Sequence, residues 1–205
     1  MRLWWDMTEN GQTKLSTRDE MEREVAACRT LFEKKTHDYG TSWRILRLPS
    51  LTDQIFIKAN RIRSVQESGE NRVGDGVRGE FVAMVNYAVM ALIQTELESD
   101  EWKARNGEAP MELPLQDAMK LYDKHVARIL DLMMDKNHDY GEAWRQMRIS
   151  SMVDLILMKL LRIKQIEDNN GQTLASEGVE GGYMDIVNYS LFSLVRLTEE
   201  ENMKL

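Results

Sequence analysis

Proline and cysteine are scarce: three prolines and one cysteine in 205 residues. Proline removes a backbone donor and breaks helices from within, so its scarcity leaves long stretches free to run as helix. A single cysteine excludes an internal disulfide framework and fits a reducing compartment, so a cytoplasmic location is expected. Cys28 lies among apolar residues with no obvious histidine partner nearby in sequence, and reads as a small buried hydrophobe. No apolar run approaches the roughly 20 residues of a membrane span. The stretch from Met1 to Asp6 has no apolar segment long enough for a signal peptide. Trp4 and Trp5 within it are expected to dock on the body of the protein. A surplus of positive charge is also missing. The formal net charge is -7, which repels a phosphate backbone and argues against a non-specific duplex binder. A local basic pocket for a small anion stays open.

What is present is an ordinary globular balance, 42% apolar and 30% charged. It is organised as an internal repeat, the first thing to seek in a chain of this kind. Residues 35–48 read KTHDYGTSWRILRL and residues 136–149 read KNHDYGEAWRQMRI. The offset of 101 holds without gaps into the next segment, where Asp53, Lys58, Arg61 and Ile62 fall on Asp154, Lys159, Arg162 and Ile163. Fourteen of the 34 pairs from 35/136 to 68/169 are identical, too many for chance. Further on the offset becomes 102, and residues 80–94 match 182–196.

Each copy predicts three helices. The first runs over 17–38 and 115–139, closed by Gly40 and Gly141, where a left-handed cap residue is wanted. The second runs over 50–67 and 151–168. Ser50 and Ser151 are expected as N-caps, and the buried stripes are Leu51, Ile55, Ala59, Ile62 and Met152, Ile156, Leu160, Ile163. The third, over 79–97 and 181–198, is apolar nearly all round and is expected at the centre. The fold class is therefore all-α: a helical bundle of two three-helix repeats related by a pseudo-two-fold, as in a homodimer. The first repeat spans 1–97, a charged connector with Pro110 and Pro114 spans 98–114, and the second repeat spans 115–205. The two are expected to pack as one unit.

A duplication that kept only a core would share apolar residues. This one also shares Lys35/Lys136, His37/His138, Asp38/Asp139, Tyr39/Tyr140, Trp43/Trp144, Arg44/Arg145, Arg47/Arg148, Lys58/Lys159, Arg61/Arg162, Asn86/Asn188 and Tyr87/Tyr189. His-Asp-Tyr-Gly-x-x-Trp-Arg has two readings. As a structural corner, the glycine turns the chain, the aromatics staple it, and His and Asp satisfy the helix end. As a pocket, Tyr and Trp offer flat faces to a base, Asp offers an oxygen to a metal, and Arg offers a fork to phosphate. Arg44, Arg47, Lys58 and Arg61 could cradle a polyphosphate or pair with nearby acids. On the third helix, Glu80-x-x-Ala83 matches Gly182-x-x-Asp185, and overlaying the copies gives Glu-x-x-Asp. Two carboxylates at that spacing share a helix face and can hold Mg²⁺, but each copy keeps only one.

With H-D-Y-G-x-x-W-R, then D-x-x-x-x-K-x-x-R, then V-N-Y, the sequence resembles the nucleotide-modification-associated domain 1 family of bacteria and phages, over about 31–97 and 132–198. The resemblance implies an all-helical protein linked to modified-nucleotide systems. It points to His37, Asp38, Tyr39, Trp43, Asn86 and Tyr87 with their counterparts in the second copy. The chain is more distantly similar to the all-α nucleotide pyrophosphatases of the MazG-like and dimeric dUTPase group. Those hold Mg²⁺ with Glu-x-x-Glu on one helix and Glu-x-x-Asp on another. Here the first motif has only Glu20 with Glu24, or Asp131 with Asp135, as candidates, and the second is split.

Three functions are compatible with these residues. The first is a Mg²⁺-dependent hydrolase of a nucleoside triphosphate. Its catalytic groups would be His37, Asp38, His138 and Asp139, and its metal ligands Asp38, Asp139, Glu80 and Asp185. The shared aromatic, cationic and Asn side chains would hold the nucleotide. The second is a nucleotide-binding module without catalysis. The third is a structural or interaction protein in which the shared polar residues only specify packing.

Overall fold

The structure, a computed structural model, describes residues 15–70, 76–173 and 178–203. Trp4 and Trp5 lie outside them. Seven helices follow in chain order: α1 (Thr17–Tyr39), α2 (Leu48–Ser68), α3 (Val77–Glu98), α4 (Asp100–Asn106), α5 (Leu115–Tyr140), α6 (Ile149–Asp168) and α7 (Val179–Asn202). Short 3-10 turns at Ser42–Ile45 and Ala143–Gln146 form the corners of the two copies. No strand occurs among the described residues.

The helix ends have local causes. Ser16 caps α1 through a capping box: its Oγ accepts from the Asp19 N–H (3.2 Å), and Asp19 Oδ2 accepts from the Ser16 N–H (3.1 Å). The second helices begin earlier than Ser50 and Ser151. Arg47 and Arg148 are the N-caps, neither with a side-chain cap bond. In α2 the reason is Pro49. A proline in the first turn loses no hydrogen bond and presets a helical φ, so the helix extends back past Ser50.

The packing repeats the duplication. Helix α3 lies against α7, α2 against α6 and α1 against α5, so each element meets its own counterpart, as a two-fold relation requires. Helices α3 and α7 form the centre, with Phe81, Val85, Ala88, Ile186, Val187 and Leu194 fully buried. The stripes expected on α2 and α6 are all buried. Cys28 is buried in the same core, and burial pushes its thiol up to about 12, well away from nucleophilic chemistry at neutral pH.

The connector between the copies is tied down. It carries α4, capped by Ser99 Oγ accepting from the Trp102 N–H (3.2 Å). It then buries Leu113, whose N–H donates to Thr41 Oγ1 (2.8 Å). Two turns of helix are too short for a period to show in the sequence.

The two corner glycines differ. Gly141 has φ 58 and ψ 40, the left-handed helical region. Gly40 has φ 62 and ψ -157, a region essentially closed to residues with a Cβ, and an added Cβ would lie 2.9 Å from Glu112 Oε1. Gly40→Ala is therefore expected to cost about 2–3 kcal/mol, against about 1 kcal/mol for Gly141→Ala. Urea unfolding of both variants checks the order, and equal losses would contradict it.

Candidate functional site

The corner begins at the end of α1, where His37, Asp38 and Tyr39 occupy the last turn before Gly40 reverses the chain. The 3-10 turn then brings Trp43 under the helix, 8% exposed, and Trp144 is likewise 6% exposed in the second copy. The His-Asp pairs face the other way. His37 Nδ1 lies 3.2 Å from Asp38 Oδ1, and His138 Nδ1 lies 3.3 Å from Asp139 Oδ1. Their imidazoles are 77% and 90% exposed. Neither pair is enclosed in a site that excludes water.

Several of the cations shared between the copies are committed to acids. Lys58 Nζ is 3.2 Å from Glu80 Oε2, and Arg61 donates to Glu80 Oε1. In the second copy Lys159 Nζ is 2.6 Å from Asp185 Oδ2, with Lys136 Nζ at 3.9 Å from the other oxygen. The equivalent lysine is neutralised in both copies, by the acid at the first position in one and at the fourth in the other. Packing accounts for the exchange. An added Cβ on Gly182 would sit 2.8 Å from Ile163 Cγ1, so α7 has no room for a Glu80 equivalent, and the next position on that face carries the charge.

These partners bear on the expected Mg²⁺. Glu80 and Asp185 face cations, and Asp38 and Asp139 lie exposed at helix ends. Glu24 meets Arg78 Nη2 at 2.5 Å and accepts from Thr198 Oγ1 at 2.8 Å, while Glu20 accepts from Arg145. Asp131 pairs with Arg18 at 3.1 Å. Among the described residues no three His, Cys, Asp or Glu side chains come together as a metal set. The donor set as arranged does not fit a Mg²⁺ site.

Several other candidates are placed as structural groups. Arg44 is buried and donates to Gln94 Oε1 on α3 and to the Pro110 carbonyl of the connector (3.3 Å). Arg145 donates to Glu142 (2.6 Å), Glu199 (2.6 Å) and Thr17 (3.0 Å), tying the second corner to α7 and to α1 of the first copy. Asn86 accepts from the Tyr122 hydroxyl (2.8 Å) and donates to the Cys28 carbonyl (3.1 Å), joining α1, α3 and α5. Asn188 is buried, and its Oδ1 has no partner among the described residues. Arg47, Arg148, Arg162 and Tyr140 are exposed.

The candidates that do converge are aromatic. Tyr39, Trp43 and Tyr87 line an open cleft of about 330 Å³ with Lys35, Thr36 and Met90. Trp43 packs against Phe32 inside, at 6.4 Å between ring centroids, and its indole N–H has no acceptor among the described residues. The second copy differs at the same place. Trp144 Nε1–H donates to Asn137 Oδ1 (3.1 Å), and Phe192 stacks on the Trp144 ring at 4.5 Å and 10°. Arg145 lies over Trp144 at 4.4 Å, and Tyr189 meets Phe192 edge-on at 6.3 Å.

A larger cleft of about 690 Å³ was not anticipated from the sequence. It lies between the end of α3, α4, α5 and the first turn of α7. His125 in its wall is 3% exposed and 2.9 Å from Glu96 Oε2. Burial lowers the basicity of this imidazole, against the pull of Glu96. The sequence offered no signal for it, because a histidine in the apolar stripe of α5 has the same spacing as a core residue.

No curated protein and no solved structure matches the chain. The family model described as nucleotide modification associated domain 1 matches twice, at residues 35–95 and 136–197. Each match begins at the lysine of the shared corner motif and ends in the central helix of its copy, and together they cover more than half of the chain. This chain belongs to the nucleotide modification associated domain 1 family, as a tandem duplication of that domain.

Proposed function

We propose that this chain is a nucleotide-binding module, and that it holds the base in the aromatic cleft of the first copy. The supporting observation is the buried Trp43 indole N–H, without an acceptor among the described residues, in a cleft walled by Tyr39 and Tyr87. Buried donors are nearly always satisfied, so an unpaired one on a residue that lines a cleft supports a ligand there. About 330 Å³ is at the small end of ligand sites, enough for a base with its sugar. The phosphates would lie at the rim, where Lys35 supplies a local positive charge on an otherwise acidic chain. All of the cleft's lining residues fall within the first family match. Hydrolysis is not part of this reading, because Glu80 and Asp185 face cations and Asp38 and Asp139 lie exposed at helix ends, away from the cleft.

Calorimetry with the common ribo- and deoxyribonucleoside monophosphates and triphosphates tests it. Binding is expected, and Trp43→Phe, which keeps the ring and removes the donor, is expected to weaken it about fivefold. Trp144→Phe should leave the affinity unchanged. Absence of binding by every nucleotide would overturn the reading. Incubation of the same nucleotides with Mg²⁺ is expected to release no monophosphate from the triphosphates, and release would restore the hydrolase alternative.

A further inference from the structure

We infer that the two copies have divided their work: the first copy takes one planar ligand ring per chain, and the second fills the equivalent place with its own ring, Phe192. The ligand's identity rests on the nucleotide-binding reading, and the division of work on the difference between the two corners.

The offsets of the duplication pair Trp43 with Trp144, Thr36 with Asn137 and Met90 with Phe192. In the second copy the indole is satisfied on its edge and on its face. Asn137 Oδ1 accepts its N–H at 3.1 Å, and Phe192 lies nearly parallel to it at 4.5 Å. That separation and tilt are those of a favourable stacked aromatic pair. In the first copy both partners are replaced. Thr36 stands where the amide was, and the indole N–H has no acceptor among the described residues. Met90 stands where the phenyl ring was, and it lines an open cleft.

Phe192 therefore shows where a flat ring sits against this tryptophan, and Asn137 shows where an acceptor sits. A ligand taking the place of Phe192 is a planar aromatic ring, and because the indole N–H points in the plane of its own ring, an acceptor for it comes from a group other than the stacked ring. Thr36 and Met90 are the specificity-determining residues, because neither reproduces the amide or the ring that closes the second corner. A flexible thioether in place of a ring also leaves a surface that adapts to an incoming aromatic group. The second corner is tied into the fold as well. Arg145 lies over Trp144 and reaches Thr17 of α1, so opening that corner would disturb the joint between the copies.

The test uses the full chain and two kinds of probe. The first is the set of nucleoside monophosphates. The second is quinoline, a planar aromatic ring system that carries neither sugar nor phosphate. Indole N–H resonances report on each tryptophan, assigned through Trp43→Phe and Trp144→Phe. Saturation at one ligand per chain is expected, with the Trp43 resonance shifting and the Trp144 resonance unmoved. Met90→Phe copies the second corner into the first at similar side-chain volume, and is expected to weaken binding at least tenfold while the urea midpoint holds or rises. Asn137→Thr with Phe192→Met is expected to raise the stoichiometry to two. Quinoline binding at Trp43 without nucleotide binding would keep this inference and remove the nucleotide reading. Two ligands on the unmodified chain, unchanged binding by Met90→Phe, or no binding of either probe class would overturn it.

Discussion

Replacing Arg145 by alanine is expected to destabilise the protein by about 2–4 kcal/mol, between the limits for exposed and fully buried ion pairs. The guanidinium is 18% exposed and reaches Glu20, Glu142, Glu199 and Thr17. Removing it leaves Glu20 and Glu142 without their cation and Glu199 with Arg196 alone (3.2 Å), and each carboxylate keeps its desolvation cost. Two of the partners, Glu20 and Thr17, belong to α1, so the loss falls on the contact between the copies. Lysine is expected to recover little, because a single ammonium cannot reproduce the planar fork that satisfies several acceptors at once. Urea unfolding of Arg145→Ala and Arg145→Lys decides the matter, and a loss under about 1 kcal/mol for the alanine variant would show the cluster to be solvated.

Asn86→Ala is expected to cost about 2–3 kcal/mol, the range for leaving a buried polar partner unsatisfied. The amide accepts from Tyr122 and donates to the Cys28 carbonyl, so α1, α3 and α5 lose a common tie, and the Tyr122 hydroxyl is stranded in the core. The duplication provides a control. The position equivalent to Tyr122 in the first copy is Met21, so Asn188 has no such hydroxyl opposite it. Asn188 Oδ1 has no partner among the described residues, and Asn188→Ala is expected to cost clearly less than Asn86→Ala. Denaturation of both variants, with Tyr122→Phe closing a double-mutant cycle, measures the coupling. Equal losses at the two asparagines would refute the assignment.

Much of the fold is legible in the sequence, because it depends on short-range regularities. The stripe Leu51, Ile55, Ala59, Ile62 recurs at the helical period, and every member is buried. The near-continuous apolar character of residues 80–94 places that helix at the centre, and α3 lies there against α7. Gly40 and Gly141 both take positive φ, as a corner after a helix requires. The starts of α2 and α6 were less legible. A serine is a good cap, but a proline in the first turn or a preceding extended arginine serves as well.

The candidate site was legible only as a set of residue types. Tyr39, Trp43 and Tyr87 line one cleft, whereas Arg44, Asn86 and Arg145, shared between the copies to the same degree, are spent on packing. Periodicity places a side chain on a face of its own helix. It does not say which residue of a distant helix lies opposite, and that residue decides whether a cation is free or paired. His125 and its cleft stayed hidden for the same reason, since α4 is short and its neighbours come from three other helices.

Sequence alone was sufficient for the duplication, the all-α class, the corner motif and the absence of a long apolar span. These follow from identity between copies and from preferences that act within a turn or two of chain. Which corner stays open was decided only in three dimensions. His-Asp-Tyr-Gly-x-x-Trp-Arg occurs in both copies, yet Trp43 and Met90 line an open cleft while Trp144 is stacked against Phe192. The difference lies in residues that a separate helix brings to the indole, and only packing puts them there.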